Sequence, residues 1–248
     1  GLVGSEMCIR DSRYSFTKYV IANPYYIGLY HFQTMFTNDI YFWQAFRNTL
    51  ILSLIKLFLN TGAAVIISLL LNEITNMIFK KTVQTIIYLP HFMSWVVVAS
   101  VFKMLLAPYD TAPVNSILIN MGVIDSAIDF MNSTAYWRGT FYIMNVWKDT
   151  GWGTILFLAT LSGISPDLYE AAQIDGANRF KRLIYITLPA LANTIITVFI
   201  LNLAKVMNLF ESVFVLQSPI TYAKSQVLQT YVSVSYTHLR AHETEADL

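Results

Sequence analysis

The sequence predicts an all-α protein built as a polytopic bundle of membrane-spanning helices. Of its 248 residues, 55% are hydrophobic and only 12% are charged, which is about half the charged fraction of an average soluble domain. The mean hydropathy is +0.50, and several apolar stretches approach the roughly 20 residues that a helix needs to cross a bilayer. So few ionised side chains do not cover the surface of a soluble globule. We therefore expect an integral membrane protein.

The same composition excludes several other classes of protein. Disordered chains are poor in aromatic residues, whereas 15% of this chain is Phe, Trp or Tyr. The formal net charge is only +1 and the sequence has no stripe of Lys and Arg, so nucleic acid is not an expected partner. One cysteine is too few for a disulfide framework or a cysteine-based metal site. The expected environment of the chain is the lipid bilayer.

Four stretches reach or approach the length of a membrane span. The first is interrupted only by Lys56 and a few small polar residues, and the second begins at Pro90, which suits the first turn of a helix. The residues just before Pro90 either extend the second span or lie along the membrane surface. The third span contains the charged pair Lys148–Asp149 and two glycines near its middle. The four stretches are residues 49–71, 90–107, 141–164 and 190–216.

Basic residues in the connecting loops predict the orientation of the spans, because cytoplasmic loops are enriched in Lys and Arg. Two lysines lie between the first and second spans, and three basic residues lie between the third and fourth. The loop 108–140, between the second and third spans, instead has one arginine and three aspartates. We therefore expect the two basic loops to face the cytoplasm and loop 108–140 to face the outside. The basic residues of the two basic loops are Lys80, Lys81, Arg179, Lys181 and Arg182. The charged residues of loop 108–140 are Arg138, Asp110, Asp125 and Asp129.

Both ends of the chain differ in character from the rest. Residues 1–12 lack the basic and then apolar pattern of a signal peptide, and residues 233–248 are abruptly polar. Both resemble translated adaptor sequence, so we expect them to be non-native and residues 13–232 to be a fragment of one transmembrane domain. His238 and His242 have the spacing of a metal-binding pair on a helix, but they fall in this non-native tail. We expect no metal site there.

The segment between the third and fourth spans, residues 163–189, is the most informative. It reads GISPDLYEAAQIDGANRFKRLIYITLP. Ser165 before Pro166 is typical of an N-cap followed by a first-turn proline, and Gly176 is the residue type that takes a positive φ without steric cost. We expect a helix after Ser165, a sharp turn at Gly176 and a second, amphipathic helix over residues 178–187. Pro189, at the end of the segment, is expected to mark the entry to the fourth span.

One interpretation of this segment is an ordinary amphipathic loop that rests on lipid headgroups. The residue spacing favours another, because it matches the EAA signature and the chain resembles the permease subunits of ABC importers. The resemblance covers about residues 14–232 and is strongest to the carbohydrate branch, the permeases for complex oligosaccharides and polysaccharides. Supporting stretches are residues 42–57, 69–74, 79–99 and 151–153. The signature positions are Glu170, Ala171, Ala172, Gly176, Ile186, Leu188 and Pro189.

The resemblance implies a role for the signature segment. Members of the family have six spans, which implies that two were lost from this chain with its true termini. The segment is then a cytoplasmic coupling helix that docks in a cleft of a separate ATP-binding subunit. In this interpretation Glu170 is the charged anchor, and Ala171 and Ala172 let the two backbones approach each other. Gly176 holds the turn and Asp175 stabilises it.

The resemblance also implies the partners and the location. The partners are the ATP-binding subunit, a second permease subunit and an extracytoplasmic solute-binding protein, assembled in the bacterial cytoplasmic membrane. Because the chain has no G-x-x-x-x-G-K-[ST] phosphate-binding loop, ATP hydrolysis is assigned to the separate subunit. The chain itself is expected to carry an oligosaccharide or a polysaccharide fragment, with no catalytic residue, metal or cofactor of its own.

Polar and ionisable side chains inside a span are costly, so each is a candidate for function. On a helix, Asn145, Asp149 and Trp152 share one face, and Lys148 lies four residues before Trp152. An aromatic ring beside hydrogen-bonding groups is the usual chemistry for holding a sugar ring, so these residues are candidates for a translocation path. The alternative is that Lys148 snorkels to the interface and Asp149 caps a neighbouring helix.

The fourth span carries a second set of candidates for the translocation path. Asn202 and Lys205 share a helix face, and Asn208 lies three residues further along. They either line the path or form hydrogen bonds to another helix. Lys56 is expected to pack between helices or to snorkel, and His91 is expected to lie at the membrane interface.

Three other functions compete with a sugar permease. A membrane-embedded enzyme would use groups such as His91, Lys148 and Asp149 as acids and bases, but they do not fall on one span and have no catalytic spacing. A membrane anchor that only recruits a soluble ATPase is a second alternative. A permease for amino acids, metals or phosphate is the third, and only the likeness to the carbohydrate branch argues against it.

Overall fold

The computed structural model describes residues 16–18 and 25–234. The expectations for residues 1–12, and for His238 and His242 in the C-terminal stretch, concern parts of the chain outside the described residues. The fold is a helical bundle, preceded by a short antiparallel pair of two-residue strands. The strands are β1, Thr17–Lys18, and β2, Tyr25–Tyr26.

The helices of the described residues follow one another through connections that are short except for residues 121–136, between α5 and α6. In chain order they are α1 Tyr30–Asn38, α2 Ile40–Asn72, α3 Met77–Tyr88, a 3₁₀ turn Leu89–Phe92, α4 Trp95–Leu105, α5 Pro113–Asn120, α6 Trp137–Ser162, α7 Pro166–Ile174, α8 Arg179–Arg182, a π-helical turn Leu183–Thr187, α9 Leu188–Leu203, α10 Phe210–Leu216, a 3₁₀ turn Pro219–Thr221, α11 Tyr222–Ser225 and α12 at residues 228–234.

Helix α6 lies at the centre of the bundle. It packs mainly against α2, and also against α9, α3 and the 3₁₀ turn that follows α3. One cluster of buried apolar side chains surrounds Trp137, Phe141 and Met144 near the start of α6. A second cluster joins Phe157, near the end of α6, to Leu191 of α9. The part of α6 between the two clusters carries the charged pair Lys148–Asp149 and becomes the candidate site.

The first predicted span is confirmed as a helix and is longer than expected. The carboxylate of Asp39 caps α2 by accepting a hydrogen bond from the N–H of Phe42 at 3.0 Å. The 33 residues of α2 extend for about 50 Å, and its buried face carries small and polar side chains such as Asn48, Ser53 and Thr61. Such side chains allow close packing between membrane helices, and the helix that packs here is α6.

The prediction that the second span is a single helix from Pro90 is wrong. The chain turns by 107° between the helical segment Met77–Phe92 and α4, which begins at Trp95. Pro90 lies in the 3₁₀ turn, and the hydroxyl of Ser94 begins α4 by accepting a hydrogen bond from the N–H of Val97 at 3.3 Å. A proline turn and an N-cap residue each favour a break in the helix. The residues before Pro90 form the separate helix α3.

The fourth predicted span, residues 190–216, is also broken. Helix α9 ends at Leu203 and α10 begins only at Phe210, with turns between them. The side-chain oxygen of Gln229 accepts hydrogen bonds from the N–H groups of Leu209 and Phe210, at 2.9 and 2.7 Å. A helix breaks at membrane depth where other protein groups bond the freed backbone atoms. Here a side chain from further along the chain does so.

The third predicted span corresponds to α6, which is continuous through its charged pair and its two central glycines. A Cβ atom on Gly151 would lie 2.5 Å from the carbonyl oxygen of Ile87, and one on Gly153 would lie 2.8 Å from the Cβ of Ala64. Real Cβ atoms do not approach other atoms so closely. The two glycines therefore let α3 and α2 lie directly against α6.

Two helices of the described residues are long and apolar enough to cross a membrane by themselves. They are α2 and the continuous helix Arg179–Leu203, which joins α8, the π-helical turn and α9. The bent pair of α3, with its 3₁₀ turn, and α4 gives a third span if it crosses as one broken unit. Helix α6 is not among them, so the expectation of four spans stays a prediction.

Candidate functional site

The elbow, as we call residues 163–189, folds into the helix, turn and second helix that the sequence predicts. Helix α7 begins after Ser165, whose hydroxyl accepts a hydrogen bond from the N–H of Asp167 at 3.3 Å, and Pro166 takes a first-turn position. Helix α8 begins after Asn178, whose side-chain oxygen accepts a backbone N–H at 2.9 Å. Because these caps depend on neighbouring residues only, the sequence is enough to predict them.

The turn between the two arms of the elbow is a Schellman motif. The φ angle of Gly176 is +75°, and its N–H donates to the carbonyl of Gln173 at 3.1 Å. The N–H of Ala177 donates to the carbonyl of Ala172 at 2.9 Å, which completes the motif. In the described part of the chain, the carboxylate of Asp175 makes no hydrogen bond. The main chain therefore holds this turn without the help of Asp175.

The second arm of the elbow continues into α9 through the π-helical turn Leu183–Thr187. The N–H of Leu188 donates to the carbonyl of Leu183, five residues earlier, which is the π-helical pattern. Pro189 has no N–H, and its ring needs space beside the preceding turn, which the wider π-helical turn provides. Pro189 thus lies inside a continuous helix instead of marking the start of a span. The signature residues Ile186 and Leu188 are half-buried against the bundle.

The outer surface of the elbow is exposed. Glu170 and Ala171 are exposed and Ala172 is half-buried, and every other residue of α7 is exposed or half-buried as well. Ile174, at the end of α7, is 87% exposed, and Phe180, on the second arm, is 67% exposed. Exposed apolar side chains that cluster beside polar ones mark a surface that contacts another molecule. The outer surface of the elbow therefore carries an exposed carboxylate and exposed apolar side chains.

A cavity of about 360 Å³ lies between α2, α6 and α9. Its wall combines charged, amide and aromatic side chains with apolar ones, which is the usual composition of a site for a polar ligand. The turns after α9 and the 3₁₀ turn after α3 also contribute to the wall. The lining residues are Ser53, Lys56, Leu57, Asn60, Thr61, Ala64, His91, Asp149, Trp152, Gly153, Val198, Asn202, Lys205, Val206, Asn208 and Leu209.

Asp149 lies among several basic groups on this wall. Its carboxylate oxygens are 3.4 Å from Nζ of Lys56, 3.8 Å from Nδ1 of His91 and 4.0 Å from Nζ of Lys148. Lys205 also lines the cavity, and in the described part of the chain it has no carboxylate partner. The wall therefore carries more positive than negative charge.

Trp152 supplies an aromatic surface to the cavity. Its ring is stacked on the imidazole of His91, with centroids 5.4 Å apart and planes inclined by 18°, and His91 is stacked in turn on Tyr88. Nearby, Oδ1 of Asn60 and Oγ1 of Thr61 are buried and have no hydrogen-bond partner among the described residues. A flat ring on a wall that also carries amide and charged side chains suits a ligand that has both apolar faces and hydroxyl groups.

The structure brings four of the six predicted translocation residues together and leaves two outside the cavity. Asn145 is buried in α6, where its side-chain N–H donates to the carbonyl of Phe141 at 2.7 Å. Lys148 donates to the carbonyl of His91 at 3.0 Å and lies 5.5 Å from the centroid of the Trp95 ring, so it holds the 3₁₀ turn against α6 instead of snorkelling. The four that line the cavity are Asp149, Trp152, Asn202 and Lys205.

The sequence does not predict that Lys56 and His91 belong to the site. Lys56 pairs with Asp149 across the two helices instead of packing passively or snorkelling. The signal that would have found it is the spacing of Ser53, Lys56 and Asn60, which places polar side chains on one face of an otherwise apolar helix. His91 has no such signal, because it reaches the cavity only through the bend after α3.

Comparison with known proteins assigns the chain to a family. Residues 60–231 match the sequence profile described as binding-protein-dependent transport system inner membrane component, and the match covers more than half of the chain. The chain belongs to this family. It is therefore a multi-pass component of an inner membrane, and its helical bundle is of the importer-permease type, as the sequence predicts.

Individual relatives are similar over most of this chain. Protein LplB of Bacillus subtilis (strain 168) is 38% identical over 208 residues, which are 84% of this chain and 64% of LplB. The polygalacturonan/rhamnogalacturonan transport system permease protein YteP of the same strain is 36% identical over 213 residues, 86% of this chain and 65% of YteP. The chain thus spans slightly less than two thirds of the length of these relatives.

A solved structure supports the same assignment. The crystal structure of a bacterial ABC transporter involved in the import of the acidic polysaccharide alginate contains a chain that is 36% identical to this one. The two superpose with a TM-score of 0.78 over 84% of this chain and 71% of that chain. At this identity and TM-score the two chains share the fold of the helical bundle.

Proposed function

We propose that this permease carries an oligosaccharide or a polysaccharide fragment across the cytoplasmic membrane, driven by a separate ATP-binding subunit. The observation that carries the proposal is the polar and aromatic cavity between α2, α6 and α9, because α6 and α9 are also the two helices that lead into and out of the exposed elbow. The substrates named for YteP and for the alginate transporter support the substrate class.

The elbow is proposed to face the cytoplasm and to dock on the ATP-binding subunit. Arg179, Lys181 and Arg182 on its second arm support the cytoplasmic side, where basic residues are enriched, and its exposed apolar side chains support docking. Closure of the ATP-binding subunits would then move α6 and α9 as rigid bodies and open the cavity to one side of the membrane or the other. A second permease subunit and an extracytoplasmic solute-binding protein complete the proposed importer.

In this proposal the cavity holds a sugar by the two kinds of group on its wall. The half-exposed ring of Trp152 stacks on the apolar face of a pyranose, and the carboxylate of Asp149 accepts hydrogen bonds from its hydroxyl groups. Asn202, which lines the same cavity, supplies a further polar contact. Each contact is modest, which is appropriate for a site that must also release its ligand.

Trp152→Ala is expected to raise the KM of ATP-dependent sugar uptake about tenfold, because a lost aromatic stacking contact costs about 1.4 kcal/mol. The measurement is uptake of a labelled oligosaccharide into vesicles that contain the complete importer. Trp147→Ala is the matched control, since Trp147 lies on the same helix, is 41% exposed against 49% for Trp152, and is outside the cavity. It should keep the wild-type KM.

Two outcomes of this experiment would count against different claims. Equal KM values for Trp152→Ala and the wild type would contradict the assignment of the cavity as the sugar path. If the wild-type importer shows no ATP-dependent uptake of any saccharide while it transports amino acids, metals or phosphate, the carbohydrate part of the proposal is wrong and the permease part stands.

The charge of the cavity favours an acidic saccharide within this class. Asp149 is already paired with Lys56 at 3.4 Å, whereas Lys205 has no carboxylate partner in the part of the chain that the structure describes. A carboxylate on the sugar would meet this uncompensated charge. The similar alginate transporter is involved in the import of an acidic polysaccharide, which supports the same substrate chemistry.

Lys205→Gln is expected to raise the KM for trigalacturonate about fivefold and to leave the KM for its uncharged methyl ester unchanged. The factor corresponds to about 1 kcal/mol, the upper value for a solvated ion pair. Lys205→Arg keeps the charge and should transport both probes as the wild type does. An equal loss for both probes would assign Lys205 a structural role and contradict the preference for an acidic sugar.

A further inference from the structure

We infer that Tyr169 is a positioning residue that joins α7 to α9, so that the elbow and the cavity wall move as one unit. The inference rests on the proposed function, because it concerns how movement of a docked elbow reaches the cavity. Its basis is a contact between two hydroxyl groups, those of Tyr169 and Thr187, which lie 3.0 Å apart. Tyr169 belongs to the first arm of the elbow, and Thr187 belongs to the π-helical turn that continues into α9.

Helix α7 has few other attachments to the bundle. All its residues are exposed or half-buried, and its two ends are the glycine-containing turns at Gly163 and Gly176. Among the described residues, the bond between Tyr169 and Thr187 is the one side-chain hydrogen bond that joins α7 to a later helix. Without it, α7 could pivot about the two glycines while α9 stays in place.

The direction of the hydrogen bonds strengthens this connection. Oγ1 of Thr187 also lies 3.4 Å from the carbonyl oxygen of Arg182, and a carbonyl can only accept, so Thr187 donates there. The hydroxyl of Tyr169 then donates to Thr187, and the chain of bonds ends on the backbone at the start of the π-helical turn. Thr187 is buried, so loss of the Tyr169 hydroxyl leaves a buried oxygen with a free acceptor site, which is unfavourable.

Helix α9 connects this contact to the cavity. Further along α9 from Thr187, the hydroxyl of Thr194 lies 2.9 Å from the hydroxyl of Thr160 on α6. Near the far end of the helix, Val198 and Asn202 line the cavity. A displacement of α7 that pulls on Thr187 therefore turns α9 about its contact with α6 and moves Asn202 relative to the substrate.

The first test measures the distance between α7 and α9 in the full chain. Spin labels at Gln173→Cys and Asn193→Cys, with the single cysteine of the chain removed by Cys8→Ser, report the distribution of this distance by pulsed electron resonance. Tyr169→Phe keeps the ring and removes the hydroxyl, and it is expected to broaden the distribution. An unchanged distribution overturns the inference, whichever solute the protein carries.

The second test measures solute transported per ATP hydrolysed in the complete importer. Tyr169→Phe is expected to lower this ratio about fivefold, the factor that corresponds to the net contribution of one hydrogen bond, while the ATP-binding subunit stays bound. Thr187→Val should lower the ratio by the same factor, and the double variant should lower it no further than either single variant. Thr187→Ser keeps the hydroxyl and should restore the wild-type ratio.

Tyr185→Phe is the matched control, because Tyr185 lies on the same π-helical turn and is 76% exposed. It should match the wild type in both tests. Additive losses in the double variant, or a broadened distribution with an unchanged transport ratio, overturn the inference. Failure of the wild-type chain to bind an ATP-binding subunit would contradict the proposed function, and the distance measurement would still decide the role of Tyr169.

Discussion

Gly151→Ala is expected to destabilise the protein by about 3 kcal/mol, the upper part of the range for overpacking a well-packed site. The added methyl group would lie 2.5 Å from the carbonyl oxygen of Ile87 and 2.8 Å from Cα of Tyr88. Both are backbone atoms, so no rotation of a side chain relieves the contact, and the helices α3 and α6 must separate. The expected fall in the Tm of the purified protein is about 6 to 12 °C.

Gly139→Ala is the matched control, since it makes the same change in the same helix. A Cβ atom at position 139 meets no atom within 4 Å, and alanine in a helix interior is more favourable than glycine by about 0.5 to 1 kcal/mol. The two substitutions should therefore shift the Tm in opposite directions. A Tm for Gly151→Ala equal to or above that of the wild type would contradict the close contact of α3 with α6.

This contact also supports the site, because the 3₁₀ turn that follows α3 carries His91. The position of this 3₁₀ turn fixes the stacking of His91 on Trp152 and the hydrogen bond from Lys148 to the His91 carbonyl. Gly151→Ala should therefore weaken sugar uptake as well as stability. The three consecutive residues Gly151, Trp152 and Gly153 thus combine two close helix contacts with one aromatic surface of the cavity.

The parts of the fold that the sequence predicts well are those that depend on neighbouring residues. Ser165 and Pro166 begin α7, and Gly176 turns the chain, because capping and a positive φ are local requirements. The breaks after Leu203 and before Trp95 are different. An apolar run in a bilayer can break wherever distant groups bond its backbone, and no pattern within the run reveals that a glutamine further along the chain will do so.

In the candidate site, too, the sequence predicts local features better than contacts between distant residues. Asp149 and Lys205 are predictable as candidates because an ionisable side chain within a predicted apolar span is costly and is therefore a candidate for function. The same argument applies to Lys56, but only the structure shows that it lies 3.4 Å from Asp149. Asn145 shares the helix face of Asp149 yet lies in the packed part of α6, because a face runs the whole length of a helix and a cavity occupies only part of it.

Glu170→Lys is expected to release the ATP-binding subunit while the permease stays folded. Glu170 is exposed on α7, and among residues 25–234 it has no ion-pair partner, so its reversal removes nothing from the permease itself. Loss of one partner from a docked charge pair costs about 2 to 5 kcal/mol, which weakens binding about 30-fold or more. The measurement is co-purification of the two subunits in detergent, with the Tm of the permease as the test of folding.

Glu73→Lys is the matched control for this charge reversal. Glu73 is exposed at the C-terminal end of α2, in a loop that is also expected to face the cytoplasm, and a lysine there is favourable to the helix dipole. It should retain the ATP-binding subunit. The comparison separates a specific anchor at Glu170 from a general effect of positive charge on the cytoplasmic surface.

Gly176→Val tests the same docking through the shape of the elbow instead of its charge. A β-branched residue rarely adopts the φ of +75° found at this position, so the turn should open while Glu170 keeps its charge, and the subunit should again be lost. Labelling of Asn178→Cys from each side of the membrane places the elbow independently. Labelling from the outside alone, or full transport by both Glu170→Lys and Gly176→Val, would exclude the elbow as the docking surface.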